Sequence, residues 1–151
     1  MNIFTKNKWH KHSSSQREPG LKGRTVLLGV TGGIAAYKAV ELTRLLIKGG
    51  ARVQVVMTEA GARFVAPLTF EAITGRRVFV KMFPGNGEPL PWHTELAAHS
   101  DIVVIAPASA DFMAKLACGI ADDLLTATLL ACEKPRVLCP AMNPRMWANP
   151  A

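Results

Sequence analysis

The sequence reads as a doubly wound α/β domain, three layers deep, with a parallel sheet in the middle. Three observations predict this. Short, nearly continuous apolar runs, mostly β-branched, recur at 25–30, 53–57, 101–106 and 136–139, the pattern of strands covered on both faces. Segments with helical spacing alternate with them, at distances that suit right-handed crossovers. A polar or glycine-bearing loop follows each run: Thr31-Gly32-Gly33, Thr58-Glu59, Pro107 to Asp111, and Met142-Asn143. Four such loops at one sheet edge would form a composite site where open α/β sheets take ligands.

The first 21 residues precede any apolar period and read as a disordered basic tail, leaving 22–151 as the folded domain. Up to residue 24, Lys6, Lys8, Lys11, Arg17, Lys22 and Arg24 stand against Glu18 alone, which is +5 of the chain's +7. The remainder is nearly balanced, which argues against a nucleic-acid-binding domain; the tail is either a solvated leader or a weak contact for an anionic surface. At 151 residues, 49% hydrophobic and 19% charged, the composition is that of one soluble domain. No apolar run reaches the ~18 residues of a membrane helix, and the start lacks a signal peptide's apolar core. These features predict a cytoplasmic protein with no membrane partner.

The 25–30 run is the first strand. It enters the turn Gly29-Val30-Thr31-Gly32-Gly33-Ile34-Ala35-Ala36-Tyr37-Lys38 and then a helix over 34–48, which Gly49-Gly50 ends. Strand, glycine turn and helix together predict an anion site: Gly32 and Gly33 let a group approach the backbone, and the helix start presents free N–H groups and a positive dipole end. Thr31 is expected to add a hydroxyl donor. The turn is neither G-x-G-x-x-G nor a Walker loop. After the second strand, Thr58 is placed to cap a helix over 59–64. A short helix over 67–73 ends at Gly75. The stretch 76–83 is left between a short strand and an extended arm, and 84–91 is a loop.

His93 begins a short helical turn before the 101–106 strand. That strand breaks into Pro107-Ala108-Ser109-Ala110-Asp111, with Asp111 as the expected N-cap of a helix over 112–118. Gly119 separates it from an apolar helix over 122–131. The last strand, 136–139, runs into Pro140-Ala141-Met142-Asn143-Pro144-Arg145-Met146-Trp147. Cys118, Cys132 and Cys139 form no C-x-x-C pair and lie among apolar neighbours, so they read as reduced and buried; no metal-ligand spacing occurs.

Three of these stretches, taken together, resemble the homo-oligomeric flavin-containing cysteine decarboxylases. The 29–38 turn is similar to that family's first flavin phosphate loop. Pro107-Ala108-Ser109-Ala110-Asp111 is similar to its P-A-S-A-N loop, with Asp in place of Asn. Residues 140–147 match its P-x-M-N-x-x-M-W motif at every fixed position. The resemblance runs from about residue 22 to residue 151, and within the family it points to the branch acting on 4′-phosphopantothenoylcysteine. It implies a flavodoxin-like, Rossmann-type sheet and FMN as cofactor. Thr31, Gly32, Gly33 and Ile34 would face the FMN phosphate, with Thr58, Glu59 and Ala60 completing the pocket. Phe64 would lie against the flavin, and Ser109, Ala110, Asp111 and Phe112 would line the far side. Asn143 would hold the substrate carboxylate beside Met142, and His93 would be the base, contributed across a subunit interface of a homotrimer or larger homo-oligomer.

The implied chemistry suits that cast. A cysteine carboxylate cannot readily lose CO2 until its C–S unit has been oxidised towards a thioaldehyde, a step the flavin would supply. A histidine titrating near neutrality suits the proton step. An asparagine amide can hold a carboxylate without adding a full charge. On residue type alone, Asn143 is equally a turn former before Pro144, and Met142, Met146 and Trp147 are equally core. The family's flap cysteine, which reprotonates the intermediate, and the ligase half of its fused bacterial members have no counterpart in these 151 residues. A decarboxylase incomplete at its C-terminus is therefore expected, against two alternatives: a flavin-binding regulatory or scaffold subunit, and a decarboxylase of peptidyl cysteine.

Overall fold

The computed structural model describes residues 20–83 and 92–150; residues 1–19 of the basic tail and the 84–91 loop lie outside the described residues, and Leu21 packs against the core. Four parallel strands, β1 (Thr25–Val30), β2 (Arg52–Met57), β3 (Ile102–Ala108) and β4 (Arg136–Pro140), form one sheet in the order β2-β1-β3-β4. Seven helices accompany them among the described residues: α1 (Ala36–Lys48), α2 (Glu59–Phe64), α3 (Pro67–Thr74), α4 (Trp92–Ala98), α5 (Ala110–Ala117), α6 (Leu124–Leu130) and α7 (Pro144–Trp147).

Strand alternation divides the core into two. Val26, Leu28 and Val30 of β1, with Val53, Val55 and Met57 of β2, face α1 and α3 and the fully buried Phe70. Leu27, Val103 and Ile105 face the other way, against Phe112, Leu124, Leu125 and Leu129 of α5 and α6 and Leu96 of α4. Helices on both faces make the three layers that the apolar runs predict. Gly29 belongs to the strand, not to the turn: a β-carbon there would meet Ile105 Cδ1 at 2.5 Å and the Leu125 methyls at 2.9 Å. Its small size lets α6 sit close to the sheet.

Several boundaries differ from the sequence reading. α1 starts at Ala36, because Ile34 and Ala35 are held in a turn in which Ala36 N–H donates to the Gly33 carbonyl at 2.9 Å. β3 continues through Pro107 to Ala108, with a register irregularity against β4. α5 consequently starts two residues early, and its N-cap is Ser109, whose Oγ accepts from Phe112 N–H; Asp111 lies in the first turn and does not cap. The 76–83 stretch is an extended arm making one parallel bridge, Phe79 to Val56. Of the three cysteines only Cys132 is buried; Cys118, just past the end of α5, and Cys139, on β4, are exposed. β4 is an edge strand exposed along its whole length, with Val137 and Leu138 open on it.

A candidate cofactor cavity at the switch point of the sheet

β1 lies between β2, which follows it, and β3, so the chain reverses its direction of winding between β1 and β3. Ligands of doubly wound sheets sit outside the carboxyl ends at such a point. A cavity of about 750 Å³ opens there, bordered by the glycine turn, the 58–60 corner, the 80–83 arm and the first turn of α5, together with the 122–124 corner and Met146. That volume is within the usual range for a small-molecule site, roughly 300–1,000 Å³.

Thr31 fastens the two sides of the switch point together. Its hydroxyl donates to the Pro107 carbonyl at 2.7 Å and accepts from Ser109 N–H at 2.9 Å. This corrects one expectation: with its single proton committed to Pro107, the Thr31 hydroxyl is not free to donate to a ligand. Thr58 and Ser109 also border the cavity. Thr58 Oγ1 accepts from Gly61 N–H at 3.0 Å and caps α2, and Ser109 Oγ caps α5. Capping uses each oxygen as an acceptor and leaves its proton to donate into the cavity.

Close packing shapes this end of the cavity. A β-carbon on Gly61 would meet the Val30 carbonyl oxygen at 2.5 Å, and one on Gly32 would meet Ala60 Cβ at 2.6 Å, so both glycines let α2 dock against the end of β1. A β-carbon on Gly33 would meet nothing within 4 Å, so the turn is open on that side. Hydroxyl donors and the positive ends of α2 and α5 lie at one end, and Val80, Met82, Phe83, Leu124 and Met146 supply apolar wall elsewhere. A ligand with a phosphate and a flat apolar ring fits that distribution.

Of the residues singled out in the sequence, Thr31, Gly32, Thr58, Glu59, Ala60, Ser109, Ala110, Asp111 and Phe112 border this cavity. Phe112 does so from behind, its ring sealed in the core at 1% exposure. Gly33 and Ile34 stand beside the cavity without lining it, and Ile34 is 80% exposed. Phe64, at the far end of α2, points to solvent and is also outside the lining. Met142 lines a neighbouring groove with Met113, Cys118 and Trp147, which shares Ala110 and Met146 with the main cavity. Asn143 caps α7: its Oδ1 accepts from Arg145 N–H at 2.9 Å, leaving both amide hydrogens uncommitted by the cap. His93, half-buried in the first turn of α4, does not line its own chain's cavity.

Lys115, Asp122 and Asp123 border the cavity and were missed in the sequence. Lys115 Nζ lies 2.9 Å from Asp122 Oδ2 and 3.7 Å from Asp111 Oδ2. The hydrogen bond to Asp122 and the surrounding carboxylates hold the ammonium above the usual lysine range, against the opposing effect of desolvation. The i,i+4 spacing of Asp111 and Lys115 was a usable signal. The Asp122 contact depends on the reversal at Gly119, where φ is +68°.

Comparison with known proteins agrees with this geometry. The model of the Flavoprotein family matches residues 13–151. The Coenzyme A biosynthesis bifunctional protein CoaBC of Vibrio parahaemolyticus is 48% identical over 129 residues, 85% of this chain and 32% of the relative. The chain thus spans about a third of the length of the curated relatives it matches. Among solved structures, the FMN-dependent cysteine decarboxylase SpaF superposes with a TM-score of 0.79 at 38% identity, covering 86% of this chain and 75% of that one. A PPC decarboxylase mutant complexed with pantothenoylaminoethenethiol superposes with a TM-score of 0.70 at 33% identity, covering 84% and 71%.

Proposed function

The chain belongs to the Flavoprotein family, and from that premise we propose that it binds FMN and decarboxylates 4′-phosphopantothenoylcysteine to 4′-phosphopantetheine, a step of coenzyme A biosynthesis. The observation that carries this reading is the switch-point cavity, with its glycine turn and two hydroxyl-capped helix starts. The likeness to the CoaBC proteins and to a PPC decarboxylase supports the choice of substrate. In this reading residues 22–151 are a cytoplasmic decarboxylase domain and residues 1–21 a tail.

FMN would be held by the residues that border the cavity: Gly32, the Thr58 and Ser109 hydroxyls, and the backbone N–H groups of Glu59, Ala60, Ala110 and Asp111 would take the phosphate. When bound, the flavin supplies the oxidation that makes a cysteine carboxylate labile. The protein's part is position and proton transfer. The Asn143 amide, with two donors left by its cap, would orient the substrate carboxylate without a charge that opposes CO2 loss. His93 would accept a proton at a ring nitrogen. Because His93 is absent from its own chain's cavity, we assign it to the cavity of a neighbouring subunit, in a homo-oligomer with the trimer as its unit. Ile34 just before α1, Tyr37 on α1, Phe64 on α2 and Leu68 on α3 expose the apolar surface such an interface needs.

The test is FMN uptake followed by anaerobic mixing with 4′-phosphopantothenoylcysteine. The chain is expected to purify yellow or to take up FMN, to scatter light as a trimer or larger, and to release CO2 at least once per site. His93→Asn is expected to retain FMN and release none. A colourless protein that takes up no FMN overturns the reading. A peptide ending in cysteine is the control for the peptidyl-cysteine alternative: faster CO2 release from it than from 4′-phosphopantothenoylcysteine would reassign the substrate.

A further inference from the structure

We infer that Lys115 is the charge-balancing residue of the switch-point cavity, the group that lets an acidic wall accept an anionic cofactor. The inference rests on the FMN reading above. Among the described residues, the ionisable side chains bordering the cavity are Glu59, Asp111, Asp122 and Asp123 against Lys81 and Lys115. The lining is therefore net negative, although its proposed occupant carries a phosphate of charge close to −2.

The three aspartates are not equivalent. Asp123 caps α6: its Oδ1 accepts from Thr126 N–H at 2.8 Å and from Thr126 Oγ1 at 3.0 Å, so the start of that helix offsets its charge. Asp122 caps no helix, and Asp111 lies in the first turn of α5 without capping it; both face Lys115, at 2.9 and 3.7 Å. The Lys115 side chain is 27% exposed, against 52% for Asp122 and 79% for Asp111, so lysine is the more enclosed side chain of both pairs. Surface ion pairs contribute little to stability, so a purely structural account leaves this cluster with little to do. Its electrostatic role is larger. Removing the ammonium would leave the Asp111 and Asp122 carboxylates unbalanced beside a phosphate dianion, a repulsion that acts over distance and weakens in salt.

FMN binding by fluorescence quenching tests this, with the parent chain, Lys115→Met, Lys115→Arg, Asp122→Asn and the Lys115→Met/Asp122→Asn pair, each titrated at low and high salt. Lys115→Met is expected to bind FMN about tenfold more weakly at low ionic strength, with the gap closing in high salt. Lys115→Arg keeps the charge and is expected to stay near the parent. Adding Asp122→Asn to Lys115→Met is expected to restore most of the loss, which a packing role for Lys115 would not allow. Asp122→Asn alone, which keeps the ammonium and removes one carboxylate, is expected to bind FMN more tightly at low salt. This arm stands even if Lys115→Met fails to fold. Unchanged binding by Lys115→Met, a loss independent of salt, or no tightening by Asp122→Asn would each overturn the inference while leaving the flavin reading intact. A parent chain that takes up no FMN overturns both.

Discussion

The Thr31 hydroxyl is buried at 1% exposure, and both of its hydrogen bonds run to the 107–109 loop. Valine at this position keeps the shape and removes both bonds, leaving Ser109 N–H without its acceptor. An orphaned buried donor costs about 1–3 kcal/mol. Thr31→Val is therefore expected to lose that much unfolding free energy, seen as a lower urea midpoint at unchanged slope, whereas Thr31→Ser keeps the hydroxyl and most of the stability. A Val variant as stable as the parent would show that the bridge contributes nothing. The sequence exposes Thr31 as a polar residue in a glycine turn, and from there a ligand contact is the natural reading. Its real partners are 76 and 78 residues away, a distance no local pattern spans. Thr58 was legible because capping is local: its acceptor role depends only on Gly61, three residues on. The same local rule applied to Asp111 missed Ser109, the single residue between the end of β3 at Ala108 and the start of α5 at Ala110.

At the scale of elements, the amino ends of β1 and β3 are joined by Asp101. Its Oδ2 accepts from Thr25 N–H at 2.7 Å, its own N–H donates to the Thr25 carbonyl at 2.9 Å, and Arg24 lies 3.3 Å from its other oxygen. The Thr25 N–H bond is the main reason its carboxyl titrates below the ordinary value, with Arg24 assisting against a desolvation that works the other way. A carboxyl lowered by folding contributes stability that is present above its unfolded value and lost as pH falls through the folded one. The parent chain is therefore expected to lose stability on acidification below the usual carboxylate range, and Asp101→Asn to flatten that slope. Equal acid slopes in the two proteins would remove Asp101 as the cause. All four strands and the 59–64 and 67–74 helices were legible, since period, Pro67 at a helix start and Gly75 at a helix end are local signals. The arm at 76–83 was not, because one bridge from Phe79 to Val56 is all the pairing it makes.

For the whole molecule, alternation of strand and helix predicts a parallel sheet, but the position of β1 between β2 and β3 follows from the packing. Leu125 and Ile105 occupy the space that Gly29 leaves open, which brings α6 onto the β1–β3 half of the sheet. β4 is the element whose surroundings the sequence misled about. Its Val137-Leu138-Cys139 run is as apolar as that of a buried strand, yet it lies at the sheet edge and is open to solvent. Apolar content reports what a strand is built to contact, and the contact itself depends on which chain segments lie next to it. Three of the four predicted loops border the cavity, and the fourth, Met142-Asn143, does not: Met142 lines the neighbouring groove. The cavity's charge balance was not legible, because Lys115 and Asp122 meet only after the chain turns at Gly119.

The bridge at Thr31 has a thermodynamic consequence. The cavity borrows its walls from the glycine turn, the 58–60 corner, the 80–83 arm, α5 and the 122–124 corner, so no smaller cooperative unit of the chain contains it. Any ligand that occupies it is linked to unfolding of the entire domain, and its binding energy is spread over every strand. Saturation at a hundred times the dissociation constant corresponds to about 2.7 kcal/mol of added stability. In a scanning-fluorimetry series with rising FMN, one sharp transition is expected to move upward as a whole, in proportion to the logarithm of the ligand concentration once the site is filled. If the transition split, with only part of it following the ligand, the cavity would have to survive in a fragment of the fold, and the joining of β1 to β3 through Thr31 would not be what creates it.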